Sequence, residues 1–222
     1  MGNTEDSGRK PAISPEHMAS TAIQRSQLYS FLAEIFRKEP PAELLRKIRS
    51  AEIMAVLAEN GVHLDTGFLE TPLEQLTEDL AVEYTWLFLG PGGHIAPFES
   101  VQLKGGSGIL QGPETEAVRS YIEAAGFDYS GNFHEMPDHV SVELEFLGHL
   151  SHLEAEAWQR DNVAEARNCR EFQLDFLKQH AGRWIGDFCS RVKSTANSVF
   201  YTEMAELTAA FLESEGTEIS AS

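Results

Sequence analysis

Two short segments of the sequence combine aromatic, acidic and histidine side chains with sharp breaks in the helical pattern. The first reads EYTWLFLGPGGHIAPFESV over residues 83–101, and the second reads HEMPDHVSVELEFL over residues 134–147. In each segment an irregular stretch adjoins the end of an apolar helical pattern. Long loops of this kind inside a compact domain commonly bind a ligand or partner. The two segments are therefore the candidate functional site.

If the two segments lie side by side, they form an apolar groove with acidic groups at one end. The residues of this groove are Tyr84, Leu87, Phe88, Pro97, Phe98, Glu99, Asp138 and His139. Carboxylates accept two N–H groups of an arginine guanidinium at once, and an apolar groove dehydrates apolar side chains. The pattern predicts a site for a peptide with a positively charged head and an apolar body.

Purely structural roles are the alternative for each of these side chains. Leu87 and Phe88 end an amphipathic helix and suit the core. Asp138 precedes a helix and suits an N-cap, and His139 suits a bond to Glu143 one turn later. The polar pair at 99–100 suits hydrogen bonds to loop amides. The binding roles and the structural roles are compatible.

Histidines suggest a second function of a different class. His134, His139, His149 and His152 would serve a small metal-dependent hydrolase, since imidazole is a common zinc ligand. Their spacing does not follow His-Glu-x-x-His, and the glycine-rich segment at 104–108 lacks the order of a phosphate loop. We therefore expect no catalysis, no metal and no other cofactor, with the hydrolase as the alternative.

The charge balance of the chain limits its partners. There are 35 Asp and Glu against 17 Lys and Arg among 222 residues, which gives a formal net charge of -18. This charge would repel nucleic acid and anionic lipid headgroups and favours basic partners. The sequence shows no continuous apolar run of the kind that a secretory signal or a membrane span needs. The composition predicts a cytoplasmic protein.

Helical periodicity dominates the rest of the chain. Apolar residues recur at helical spacing from Glu16 to about residue 39, over 42–59 and over 72–88, and helical patterns return at 113–125, 138–157, 163–180, 183–193 and 196–213. No sustained strand pattern appears. The sequence predicts an all-α, single-domain helical bundle with long loops between helices. We expect a disordered N-terminal arm at 1–15, the helical domain at 16–214 and a frayed tail at 215–222.

The two segments resemble the signatures of the TorD/DmsD family of NarJ-related chaperones, which assist maturation of molybdoenzymes. In the first, an aromatic residue and Leu-Phe precede Gly-Pro and then Pro-Phe-Glu-Ser; in the second, Pro-Asp-His is followed by Glu after three intervening residues. Supporting similarity extends over 171–184 and 200–212. Gln102 departs from the pattern, because many relatives carry an aromatic residue there.

The resemblance implies an all-helical chaperone rather than an enzyme. Its expected partners are the catalytic subunit of a molybdenum-cofactor oxidoreductase and the twin-arginine signal peptide of that subunit. It implies that Ser100 also belongs to the groove and that these nine residues bind the signal peptide, while the chaperone assists cofactor insertion and delays export. We expect no nucleic acid, no stable membrane insertion, and either a monomer or a dimer formed by exchange of helices.

Overall fold

The computed structural model describes residues 14–90, 95–127 and 136–220, and every α-helix of the expected bundle lies within them. Helices α1 to α11 are, in order, Pro15–Arg37, Ala42–Ile48, Ala51–Glu59, Thr66–Glu70, Leu73–Tyr84, Glu99–Gln102, Pro113–Ala124, Val140–Gln159, Val163–Gln179, Ile185–Thr195 and Val199–Ser220. A π-helical turn at Thr85–Leu89 follows α5, and a 3-10 turn at Ala181–Arg183 follows α9. Within these ranges no strand forms beyond one isolated bridge. The all-α prediction is confirmed.

Helix α8 is the central helix of the bundle. It packs along α1 on one side and α9 on another, and its buried residues occupy most of its circumference. Gly148 allows the close approach of α1, because a β-carbon at this position would lie 3.1 Å from Cβ of Tyr29.

A buried ionic cluster joins α1, α8, α9 and α11. The Arg25 guanidinium lies 3.0 Å from a Glu154 carboxylate oxygen and 3.1 Å from one of Glu215, and it also donates to Gln173. Glu215 is almost fully buried, and α11 continues to Ser220. Arg25 and Arg170 hold Glu215 in place within α11, and the division into an arm at 1–15, a domain at 16–214 and a frayed tail at 215–222 stays a prediction.

Several local expectations differ from the structure. The single helix expected over 42–59 is divided into α2 and α3, because Ser50 starts a new helix by accepting a hydrogen bond from the Ile53 amide. Two short helices, α4 and α6, lie where the sequence predicted no helix. Each is about one turn long, too short to show an apolar period. Each is capped by an aspartate: Asp65 accepts from the Phe68 amide in α4, and Asp138 accepts from the Ser100 amide in α6.

Among the described residues, no helix has both the length and the apolar character that crossing a membrane requires. The expected arm lies almost entirely outside the described residues, and α1 begins at Pro15 with Ser14 as its N-cap.

Candidate functional site

The two sequence segments meet at the start of α6 and the start of α8. Phe98 and His139 form an antiparallel bridge. The Glu99 amide donates to the Asp138 carbonyl at 2.9 Å, and the Val140 amide donates to the Pro97 carbonyl, also at 2.9 Å. The prediction that these segments lie side by side is confirmed. We call residues 97–100 and 138–140 the motif joint.

Asp138 caps a helix of the other segment rather than its own. Its Oδ2 atom accepts a hydrogen bond from the Ser100 amide at 3.1 Å, near the N-terminus of α6. The N-cap of α8 is His139, whose Nδ1 atom accepts from the Ser141 amide at 3.2 Å. The expectation that Asp138 caps the following helix is thus corrected: its carboxylate points across the joint, where it satisfies a buried amide.

His139 is buried in the joint and stays neutral. Burial lowers its pKa to about 3, and the positive charge of Arg37 acts on the pKa in the same direction. Its ring packs edge-on against the Phe98 ring, with centroids 5.1 Å apart. The imidazole therefore acts as a cap and a packing surface, since its cationic form is excluded over the physiological pH range.

A buried carboxylate pair lies beneath the joint. Glu143 accepts a hydrogen bond from Trp184 Nε1 at 3.0 Å and is hydrogen-bonded to Glu99. Burial raises the pKa of Glu143 well above its ordinary value, and the neighbouring charge of Glu99 adds to this rise. Glu99 in turn lies 3.0 Å from His180 Nδ1. Burial thus favours the protonated form of Glu143, which is the form that can donate a hydrogen bond to Glu99.

The acidic groups expected at one end of the groove are buried rather than exposed. Glu99 is 1% exposed and Asp138 is 0% exposed, so in this structure neither carboxylate is accessible to an arginine from solvent. Their partners are the Ser100 amide and the side chains of Glu143 and His180. The structural role anticipated for the pair at 99–100 is the one that the geometry shows.

Two aromatic residues of the first segment, Tyr84 and Phe88, lie in the core. Tyr84 donates its hydroxyl to the Phe36 carbonyl at 3.0 Å, and the Phe88 ring packs edge-on against the Phe36 ring at 6.2 Å. Leu87 is fully buried. Of the nine predicted groove residues, all of which are described, Phe98 alone is partly exposed. The groove expected over these residues is closed in this structure.

The three described histidines of the hydrolase alternative are each engaged in other contacts. His134 lies outside the described residues, and His139 is held in the joint. The His149 ring packs against Phe127 with centroids 4.9 Å apart, and His152 pairs with Glu156 at 3.5 Å. Among the residues that the structure describes, no group of three or more side chains is arranged to hold a metal ion.

Comparison with known families gives a match over residues 59–190, more than half of the chain, to the family described as nitrate reductase delta subunit. The chain belongs to this family. The matched region contains both sequence segments and the whole motif joint.

The chain is also similar to individual proteins. The chaperone protein TorD of Vibrio cholerae is 27% identical over 203 residues, covering 86% of this chain and 90% of that protein. TorD of Shewanella piezotolerans is 24% identical over 207 residues, with the same coverage of both chains. A crystal structure of a candidate redox enzyme maturation protein from Archaeoglobus fulgidus shares 22% identity, with a TM-score of 0.49 over 95% of this chain and 99% of that one. The resemblance to the TorD/DmsD chaperones is confirmed, and the family is one of chaperones rather than enzymes.

Sequence reasoning missed two residues of the site, His180 and Trp184, and expected Glu143 to bond His139 rather than Trp184 and Glu99. The burial of Glu143 could have been predicted, because apolar residues surround it on most sides of α8. A carboxylate in such a position must be buried and needs a hydrogen-bond partner. His180 and Trp184 had no such signal, since only the tertiary fold brings the end of α9 beside α8.

Proposed function

We propose that this protein is a cytoplasmic maturation chaperone for a molybdenum-cofactor oxidoreductase. It binds the twin-arginine signal peptide and the apo-form of the catalytic subunit, assists cofactor insertion and delays export. The family membership and the relatives named TorD support this function. The structural observation that carries it is the Phe98–His139 bridge, which unites the two signature segments in one site.

The chemistry of the joint suits holding a polypeptide rather than transforming one. Its carboxylates and His139 are buried, and the hydrogen bonds that Asp138 Oδ2 and His139 Nδ1 accept from backbone amides fix the start of α6 and the start of α8. Phe98 keeps part of its ring accessible on this rigid base. In the proposed complex Phe98 contacts the client peptide, and the eight buried residues position the surface around it.

The binding energy required of such a surface is modest. Each apolar side chain of the peptide that becomes fully buried contributes about 1.5 to 3 kcal/mol. A micromolar complex requires about 8 kcal/mol in total. Three or four buried side chains and one charge-assisted pair therefore suffice, after ordering of the peptide has offset part of the gain.

Peptide binding to designed variants tests this function. The probe is a fluorescein-labelled signal peptide of a molybdoenzyme from the same genome, followed by fluorescence anisotropy. Phe98→Ala should weaken binding about tenfold by removing the accessible ring. Asp138→Ala should also weaken it, because the Ser100 amide loses its buried acceptor and α6 loosens.

A matched control separates this effect from a general loss of aromatic surface. Phe172→Ala removes another partly exposed aromatic ring, on α9, and should leave the affinity unchanged. A second peptide with both arginines replaced by Ala should bind more weakly to the unmodified protein. Absence of binding of the first peptide to the unmodified protein would refute the proposed function.

A further inference from the structure

A row of exposed large apolar side chains lies on the outer side of α5 and the π-turn that follows it. Val82 is 71% exposed, Trp86 is 40% exposed and Leu89 is 62% exposed. Val82 and Trp86 also line a shallow cavity of about 330 Å³ with Asp79 and Glu83. Exposed apolar side chains grouped in this way mark interaction surfaces more often than isolated ones do.

The π-turn builds this row. Its closing bond runs from the Gly90 amide to the Thr85 carbonyl at 2.6 Å, and a β-carbon on Gly90 would lie 3.1 Å from that same oxygen. The turn keeps Leu87 in the core while it leaves Trp86 and Leu89 on the surface. Turns of this type are rare and are frequent at functional sites.

The same helix is acidic at its other end. Glu74, Glu78 and Asp79 are exposed, and none of them has an ion-pair partner within the described part of the chain. We call the six residues Glu74, Glu78, Asp79, Val82, Trp86 and Leu89 the α5 outer face. From its acidic end to its apolar end this face spans about 22 Å at 1.5 Å per residue. Charge and apolar surface therefore follow one another along a single axis.

We infer that the α5 outer face binds the basic and apolar portions of the client signal peptide. The peptide's arginines pair with the acidic end, and its apolar run covers Val82, Trp86 and Leu89. This inference rests on the proposed function for the nature of the ligand. It assigns the arginines to accessible carboxylates, whereas the carboxylates of the motif joint are buried.

Charge complementarity selects this occupant over the other candidates for an apolar surface. A second copy of the chain would bring together two molecules of formal charge -18, and an anionic membrane surface would repel the same charge. A basic and apolar peptide gains from both ends of the face.

Two double variants test the two ends of the face. Glu78→Lys with Asp79→Lys reverses the acidic end, and Trp86→Ser with Leu89→Ser removes the apolar end. The charge-matched control is Glu123→Lys with Glu171→Lys, two exposed glutamates on α7 and α9. The apolar control is Val56→Ser with Leu110→Ser, two exposed apolar residues outside α5 and the π-turn. Melting followed by circular dichroism verifies that each variant folds.

The probe is a synthetic labelled peptide with two adjacent arginines followed by a Leu- and Ala-rich run, together with a second version in which both arginines are Gln. Each face variant should weaken binding of the arginine peptide about tenfold in low salt, and both controls should bind as the unmodified protein does. Added salt should reduce the effect of charge reversal. The Gln peptide should bind equally to the unmodified protein and to the charge-reversed variant.

The outcomes separate this inference from the function on which it rests. Unchanged binding to both face variants, with weaker binding to Phe98→Ala, would overturn the α5 outer face and leave the chaperone function standing. An equal loss for the arginine and Gln peptides on charge reversal would overturn the assignment of the arginines. A lack of binding to the unmodified protein would overturn both the function and the inference.

Discussion

Replacement of Glu143 by Gln should remove a loss of stability that the folded protein suffers as pH rises. Glu143 is fully buried beneath the motif joint, and burial together with the nearby Glu99 raises its pKa well above the ordinary value of 4.5. Between about 4.5 and the folded-state pKa, the folded protein keeps a proton that the unfolded chain has released. The free energy of unfolding therefore falls with rising pH over this window.

The size of this effect follows from proton linkage. One proton retained by the folded state alone changes the free energy of unfolding by about 1.4 kcal/mol for each pH unit. In the Glu143→Gln variant the new side chain is neutral in both states, and its amide can donate to Glu99 and accept from Trp184 as the protonated acid does. The stability difference between the variant and the unmodified protein should therefore grow with this slope, in favour of the variant.

Urea denaturation followed by far-UV circular dichroism measures this difference at several values from about pH 5 to about pH 7, at constant ionic strength. Glu123→Gln, on the exposed side of α7, is the control and should give a difference that does not vary with pH. A pH-independent difference for Glu143→Gln would show that Glu143 is ionised in the folded protein. The description of the buried pair as sharing a proton would then be refuted.

Two further substitutions test the ionic cluster and the cap of α8. Arg25→Met should lower the free energy of unfolding by about 3 to 5 kcal/mol, because Glu154 and Glu215 would stay buried without their guanidinium partner. His139→Asn should reduce acid sensitivity. The folded-state pKa of His139 is about 3, against 6.5 for the free side chain, so its stabilising effect is present above 6.5 and is lost as pH falls. Asn keeps an oxygen for the Ser141 amide and binds no proton.

Urea denaturation measures both effects, and exposed residues supply the controls. Arg167→Met removes an exposed arginine of α9 and should change stability by less than about 0.5 kcal/mol. His152→Asn should leave the acid slope unchanged, since its side chain is 58% exposed. If Arg25→Met and Arg167→Met lowered the free energy of unfolding equally, burial of the ionic cluster would not explain its stabilising effect. If His139→Asn and His152→Asn changed the acid slope equally, burial of His139 would not explain the acid sensitivity.

The helices followed from periodicity because their apolar residues face a common core. The stripes of α1 and α8 predicted both helices, and glycine-capped ends such as Gly126 placed several boundaries. The break between α2 and α3 escaped because Ser50 also fits a helix interior. The π-turn was not predicted, because a shift of one residue in the backbone hydrogen bonding does not change the spacing of the apolar residues.

The meeting of the two segments followed from family resemblance, since periodicity says nothing about contacts between distant loops. The burial of Glu99 and Asp138 did not follow, because a carboxylate in a loop normally faces water. Only the tertiary structure shows that Ser100 and His180 supply their partners. The sequence likewise gave no indication that Arg25 of α1 is buried, although side chains of α8, α9 and α11 all bond to it.

Helix α6 has a consequence for the order in which the protein folds and opens. It spans only Glu99–Gln102, too short to persist alone, and its cap comes from Asp138, 38 residues further along the chain. Closing so long a loop costs entropy before the cap is gained, so α6 forms after α8 has started. We therefore expect the joint to open as one cooperative unit, so that in native-state hydrogen exchange the amide protons of Glu99, Ser100 and Val140 should share one opening free energy.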